Sequence, residues 1–138
     1  MTWLSWALLS AVFAGLTAVL AKIGVKDIDS NLATAIRTVV IVLFAWSVAW
    51  FRNDQPLSTV TSRTWLFLVL SGLATGASWL CYFRALQLGQ VAKVAPIDKL
   101  SVVVAILLAA VFLHERLTWQ NWIGGALIVG GTLVLALG

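Results

Sequence analysis

The sequence predicts an all-α integral membrane protein with five transmembrane helices, and three observations carry that reading. Of 138 residues, 62% are hydrophobic and 10% charged, against roughly 45–50% and about 25% in an ordinary soluble domain. A soluble fold of this size still exposes much of its surface and could not cover that much apolar side chain. Five separate apolar runs each approach the roughly 20 residues that cross a hydrocarbon core about 30 Å thick as helix. A water-soluble enzyme, a nucleic-acid binder and a disordered tail are thereby excluded, and residues 1–138 fit a single membrane domain.

The first span covers about Trp3–Ala21. No positive residue precedes it and its apolar stretch is longer than that of a signal peptide, so it reads as a retained helix. A loop with Lys22, Lys26, Asp27 and Asp29 follows. The second span runs about Asn31–Phe51, and Arg52-Asn53-Asp54-Gln55-Pro56 reads as a loop. The third covers about Trp65–Ala85, the fourth about Val94–Leu113 and the fifth about Trp119–Leu137. Barrel strands would be about ten residues long with alternating polarity, which these runs lack. Pro96 falls near the start of the fourth run, where a missing N–H costs nothing. The helix N-terminus there could hold an anion with help from Lys99, or be complemented by Asp98 in its first turn. Cys81 lies inside the third run and reads as a packing residue. As the sole cysteine it excludes an intrachain disulfide and a cysteine-based zinc site.

Five spans put the two termini on opposite sides, the side of Met1 being face A and that of Gly138 face B. Face A loops carry Arg52, Arg63 and Arg116; face B loops carry Lys22, Lys26 and Lys93, with Arg84 and Lys99 at nearby helix ends. The net charge of +4 is scattered singly, without a basic run. That distribution orients the chain only weakly, leaving open a fixed topology with face B cytoplasmic or dual topology, copies inserted both ways round. Seven tryptophans, Trp3, Trp6, Trp46, Trp50, Trp65, Trp119 and Trp122, fall toward face A and Trp79 alone toward face B. An inverted pair of chains would furnish both membrane surfaces with these interfacial residues.

Ionisable residues within spans are costly and point to function. Arg37, Arg84, Asp98 and Lys99 gather toward face B. Arg84 and Lys99 are placed to snorkel, whereas Arg37 lies deeper and needs a partner, Asp98 being the acid at similar depth. Asp98 and Lys99 are neighbours and are expected to point to different sides of their helix. On the third span Ser71, Thr75, Ser78 and Tyr82 recur at helical spacing on one face, with Trp79 beside them. Gly72 and Gly76 form a small-residue pair that lets helices approach closely. The stripe reads either as the lining of a polar cavity or as interhelical hydrogen bonding. Ser10 and Thr17 share a face of the first span. Glycine doublets at Gly124-Gly125 and Gly130-Gly131 make the fifth span a packing surface. His114 stands in a short turn without a second ligand, and no catalytic constellation, phosphate loop or metal spacing is present.

The stretches Tyr82-Phe83-Arg84-Ala85-Leu86-Gln87-Leu88-Gly89, Val94-Ala95-Pro96-Ile97-Asp98-Lys99-Leu100-Ser101, Leu113-His114-Glu115-Arg116-Leu117-Thr118 and Trp122-Ile123-Gly124 resemble, in that order, an EamA-like domain of the drug/metabolite transporter superfamily. The resemblance covers the whole chain, which is similar to the small single-domain five-helix bacterial members. One departure is His114, where the family commonly has glycine before Glu115-Arg116. The resemblance implies one half of a ten-helix inverted-repeat transporter in the bacterial cell inner membrane, with the first, third and fourth helices around a central cavity. It also favours an antiparallel homodimer, since inverted repeats line midplane sites in many transporters.

Together these features lead to the expectation of a secondary transporter exporting a small metabolite such as an amino acid, by alternating access. Ser71, Thr75, Ser78, Trp79 and Tyr82, with Ser10 and Thr17, are expected to contact substrate, and Asp98, Arg37 and Lys99 to set charge and coupling. No enzyme activity, cofactor, metal or nucleic-acid partner is implied. Multidrug-cation efflux is an alternative that usually uses a carboxylate at the membrane centre, and a non-transporting scaffold subunit is another.

Overall fold

The computed structural model describes residues 2–52 and 57–138. The elements are α1 (Trp3–Gly24), α2 (Ser30–Arg52), α3 (Ser62–Leu88), α4 (Val91–Asp98), α5 (Leu100–Phe112) and α6 (Trp119–Leu137), with one 3₁₀ turn at Leu57–Thr59 before α3. Five stretches are long and apolar enough to cross a membrane, α4 and α5 together supplying the fourth. Residues 53–56 of the expected loop lie outside the described residues. The third and fourth spans begin three residues earlier than the hydropathy pattern suggests, at Ser62 and Val91, because Ser62, Arg63 and Thr64 in one and Lys93 in the other interrupt the apolar run without interrupting the helix.

Short polar side chains start several helices. The Asp29 carboxylate accepts the N–H groups of Asn31 and Leu32 at 2.9 and 3.1 Å ahead of α2, satisfying donors that a helix start leaves over. The Thr61 hydroxyl accepts the Thr64 N–H at 3.3 Å ahead of α3. Ahead of α6, Thr118 donates to the Asn121 side-chain oxygen. Within spans, hydroxyls bond back to their own helix: Thr34 to Ser30, Thr38 to Thr34 and Ser47 to Leu43, each at 2.8 Å. Such bonds satisfy the donor without a partner helix.

The chain divides into two compact units, one formed by residues up to Leu20 together with Leu88–Gly138 and the other by Ala21–Gln87. The core of the Ala21–Gln87 unit lies where the α1–α2 turn meets the end of α3. Leu86, Val25 and Phe83 are almost fully buried there with Ala21, Ala33, Ser30 and Thr34. In the other unit α6 packs against both α4 and α5, and Thr132 is buried. Nearly all remaining large apolar side chains are exposed on the chain surface, from Trp3 to Leu137, as expected of a surface that faces lipid or another helix rather than water.

Three sequence expectations change here. Pro96 is not in the first turn but six residues into α4, inside the helix. Lacking an N–H and clashing with the preceding turn, it is followed by a break at Lys99, whose N–H reaches only three residues back, to the Pro96 carbonyl at 3.0 Å. Asp98 therefore ends α4 rather than opening the span, and Lys99 stands at the junction, closing α4 and preceding the first residue of α5. Second, the glycine edges are not closely packed: a Cβ at Gly72, Gly76, Gly124, Gly130 or Gly131 would meet nothing within 4 Å, and the same holds at Gly125, which is buried beside the space between α5 and α6. Third, Cys81 is exposed rather than packed within the chain.

His114 has φ 54°, the left-handed conformation that glycine adopts without strain. The chain reverses there, the Glu115 N–H reaching the Ala109 carbonyl at 3.3 Å. This backbone need accounts for the glycine common at that place in the resembled family.

Candidate functional site

In the Ala21–Gln87 unit the Arg37 guanidinium lies over the Trp79 ring, 4.3 Å from its centroid, and 5.3 Å from that of Phe83. Trp79 and Phe83 are four residues apart on α3 and so present their rings on the same side of the helix. Arg37 is half-buried. Its partner is thus this aromatic shelf. Asp98, the acid expected for it, is ion-paired with Lys99 at 3.2 Å instead.

That ion pair corrects the expectation that adjacent residues point apart. The helix is interrupted at Lys99, which has φ −70° and ψ −10°, and its long stem folds back onto the neighbouring carboxylate. The two side chains are 34% and 56% exposed for Asp98 and Lys99, so the pair lies on the surface of the chain rather than in its core. Beside it the Pro96 carbonyl accepts the Thr132 hydroxyl at 3.3 Å. A broken span with a freed carbonyl and opposite charges at the break is a recurring way to build an ion or solute site within a membrane.

The remaining expected contacts are placed as follows. Ser71, Thr75 and Ser78 are exposed, and Trp79 and Tyr82 half-buried. Thr75 donates to the Ser71 carbonyl at 2.9 Å, leaving its oxygen free to accept. Ser10 is exposed and Thr17 half-buried. A cavity of about 210 Å³ between α5 and α6 is lined by Val103, Ile106 and Leu107 against Trp122, Gly125 and Val129, among others, and is apolar. None of the expected polar contacts lines it.

Sequence reasoning missed the role of Gln87. Its amide donates to the carbonyls of Val25 and Ile28 at 3.2 and 2.8 Å, and its oxygen accepts from Arg84 at 2.7 Å. Lys22 Nζ donates to the Leu86 carbonyl at 2.5 Å. Lys22, expected in a loop, lies in the last turn of α1 and thus helps Gln87 tie that end of the chain to the end of α3, while Arg84 bonds to Gln87 along its own helix. No group of His, Cys, Asp and Glu that could hold a metal occurs among the described residues.

Comparison with known proteins accords with this picture. The model of the EamA-like transporter family matches residues 1–137. An "uncharacterized transporter in cobO 3'region" of Sinorhizobium sp is 57% identical over 137 residues, which is 99% of this chain and 97% of the relative. A "probable 4-amino-4-deoxy-L-arabinose-phosphoundecaprenol flippase subunit ArnE" of Aeromonas salmonicida is 27% identical over 88 residues, 64% of this chain and 75% of that protein. Both are named for transport rather than catalysis. No solved structure matches the chain. A family match along essentially the entire sequence, on a chain with five membrane-crossing stretches, makes this protein a member of the EamA-like transporter family and a multi-pass protein of the bacterial inner membrane.

Proposed function

We propose that the protein is a secondary transporter that exports a small metabolite such as an amino acid, working as an antiparallel homodimer by alternating access. The observation that supports it most is the interruption of the fourth span, where Asp98 and Lys99 place two charges just after Pro96 within a stretch otherwise apolar. Charged side chains inside a span are costly and mark solute or ion paths by default. The Ser71, Thr75, Ser78, Trp79 and Tyr82 face, with Ser10 and Thr17, lines the solute path in this reading. Asp98, Arg37 and Lys99 set its charge. No catalytic step is assigned to the chain.

The open glycine edges supply the surface for the second copy. They equally fit a different chain, and the flippase-subunit relative favours that second reading of a heteromeric subunit. Purified protein in liposomes, assayed with a solute panel with and without a pH gradient, tests the proposal. Gradient-driven flux of at least one solute is expected. Flux of none, together with a stoichiometric partner on co-purification, overturns it in favour of the subunit. Asp98→Asn tests coupling: unchanged flux in that variant removes Asp98 from it.

A further inference from the structure

We propose that Arg37 is a receptor for an oxyanion, the carboxylate or phosphate of a bound molecule, with the Trp79 and Phe83 rings as the shelf that holds its guanidinium in place. Under the transport reading, on which this part rests, the solute carries such a group.

Arg37 is seven residues into α2, about 10 Å from its start at 1.5 Å per residue. An arginine at that depth is costly in lipid unless paired, and Asp27 and Asp29, the described carboxylates of its own unit, form no ion pair with it. The rings supply part of the compensation, through cation–π contact at 4.3 and 5.3 Å from the guanidinium carbon. They accept none of its five N–H donors as an oxygen would, and these form a fork that matches two oxygens of a carboxylate or phosphate. Two rings against the guanidinium restrict its movement, which is how a bidentate anion site is preorganised. Arg37 is only half-buried, which leaves room for an anion beside it.

Arg63 provides an internal contrast. It is the second residue of α3, exposed, and stands 5.9 Å from the Phe67 ring. A charge at a helix end reaches the interface through its own stem, and no anion is needed there.

The test is nitrogen NMR of arginine-labelled full chain in phosphatidylcholine nanodiscs, titrated with acetate and with inorganic phosphate. The Arg37 Nε resonance, identified by its loss in Arg37→Gln, is expected to move saturably while that of Arg63 stays. Discs containing phosphatidylglycerol separate the sources of the anion. Movement caused by that lipid alone keeps the oxyanion site and assigns it to a headgroup, and no movement in any arm overturns the inference. Arg37→Lys and Trp79→Leu keep the test usable should Arg37→Gln fail to fold. Loss of the fork or of the shelf is expected to weaken acetate binding by about tenfold, the size of one charge-assisted hydrogen bond, and wild-type affinity in both variants overturns the role of fork and shelf. Flux separates this inference from the transport reading. Arg37→Gln protein that moves anionic solutes with wild-type preference overturns the inference and leaves transport intact. Wild-type protein that binds acetate and moves nothing keeps the site and removes transport.

Discussion

At the α1–α2 turn, Gln87 and Lys22 donate to three backbone carbonyls from side chains anchored beside a packed core of Leu86, Val25 and Phe83. At the α4–α5 break, the Pro96 carbonyl accepts the Lys99 N–H at 3.0 Å and the Thr132 hydroxyl at 3.3 Å, and the charges next to it pair with each other half-exposed. The first region ties together segments far apart in sequence and buries what it can. The second interrupts its helix next to half-exposed charge. Regions that move or bind are drawn from the weakly held end of a structure, and under the proposed function the turn holds while the break works.

The largest effect expected from breaking that contrast is at the core of the turn. Leu86 has 0% exposure, and Leu86→Ala leaves a cavity among neighbours that cannot all collapse, costing about 3 kcal/mol. Unfolding in detergent, followed by circular dichroism, reads it. A loss below about 1 kcal/mol would mean that the turn is not the stable part of the chain. Gln87→Ala comes next. It strips a donor from the Val25 and Ile28 carbonyls and frees Arg84, for an expected loss of about 1–2 kcal/mol. Gln87→Glu separates donor from acceptor: it keeps the acceptor for Arg84 but not the two donations, and is expected to lose nearly as much as the alanine.

A smaller shift of opposite sign sharpens the other side. Pro96→Ala restores an N–H and removes the ring clash, so α4 and α5 can run as one helix through Lys99. Stability is expected to rise by about 1 kcal/mol while flux falls, a trade found where function uses a strained element. Thr132→Val, which removes the hydroxyl bond to Pro96, is expected to cost about 0.6 kcal/mol in the wild type, the usual worth of an interhelical hydrogen bond in a membrane. In the Pro96→Ala background the cost should shrink, because a helix that runs on through Lys99 brings the Leu100 N–H to the same carbonyl. A double-mutant cycle over the two positions measures this coupling. Equal costs in both backgrounds would show the bond to be independent of the break.

The five spans were legible because a membrane helix must be apolar for about twenty residues, a signal no loop imitates. Their margins are not, because Arg63 and Lys93 look like loop residues to a pattern that tracks apolarity, although both lie inside helices. Pro96 was legible as a helix feature but misplaced, since hydropathy gave the span a start three residues late and so turned an interior proline into a first-turn one. The Ser71–Tyr82 stripe follows from spacing alone, and the structure keeps it on one helix. The Arg37–Trp79 contact could have been suggested by an unpaired arginine and a tryptophan at similar distance from face B. Gln87 could not, because its acceptors are main-chain carbonyls of Val25 and Ile28, and every residue type carries one.

The last test concerns the turn after α5, in the same unit as the break. His114 holds φ 54°, which costs a residue with a Cβ roughly 1–2 kcal/mol. His114→Gly removes that strain, but glycine also gives the unfolded chain more freedom, worth about 0.5–1 kcal/mol. The net expectation is a gain of about 0.5 kcal/mol, read as a small rise in the detergent unfolding midpoint. His114→Ala discriminates the cause. It keeps the Cβ and so the strain, and since the imidazole is exposed it should leave the midpoint where the wild type has it. A gain in alanine as large as in glycine would assign the cost to the imidazole rather than to the backbone. If glycine alone stabilises, the marginal backbone of this unit extends past Pro96 to the end of its span, and the break is one of two places where it is strained.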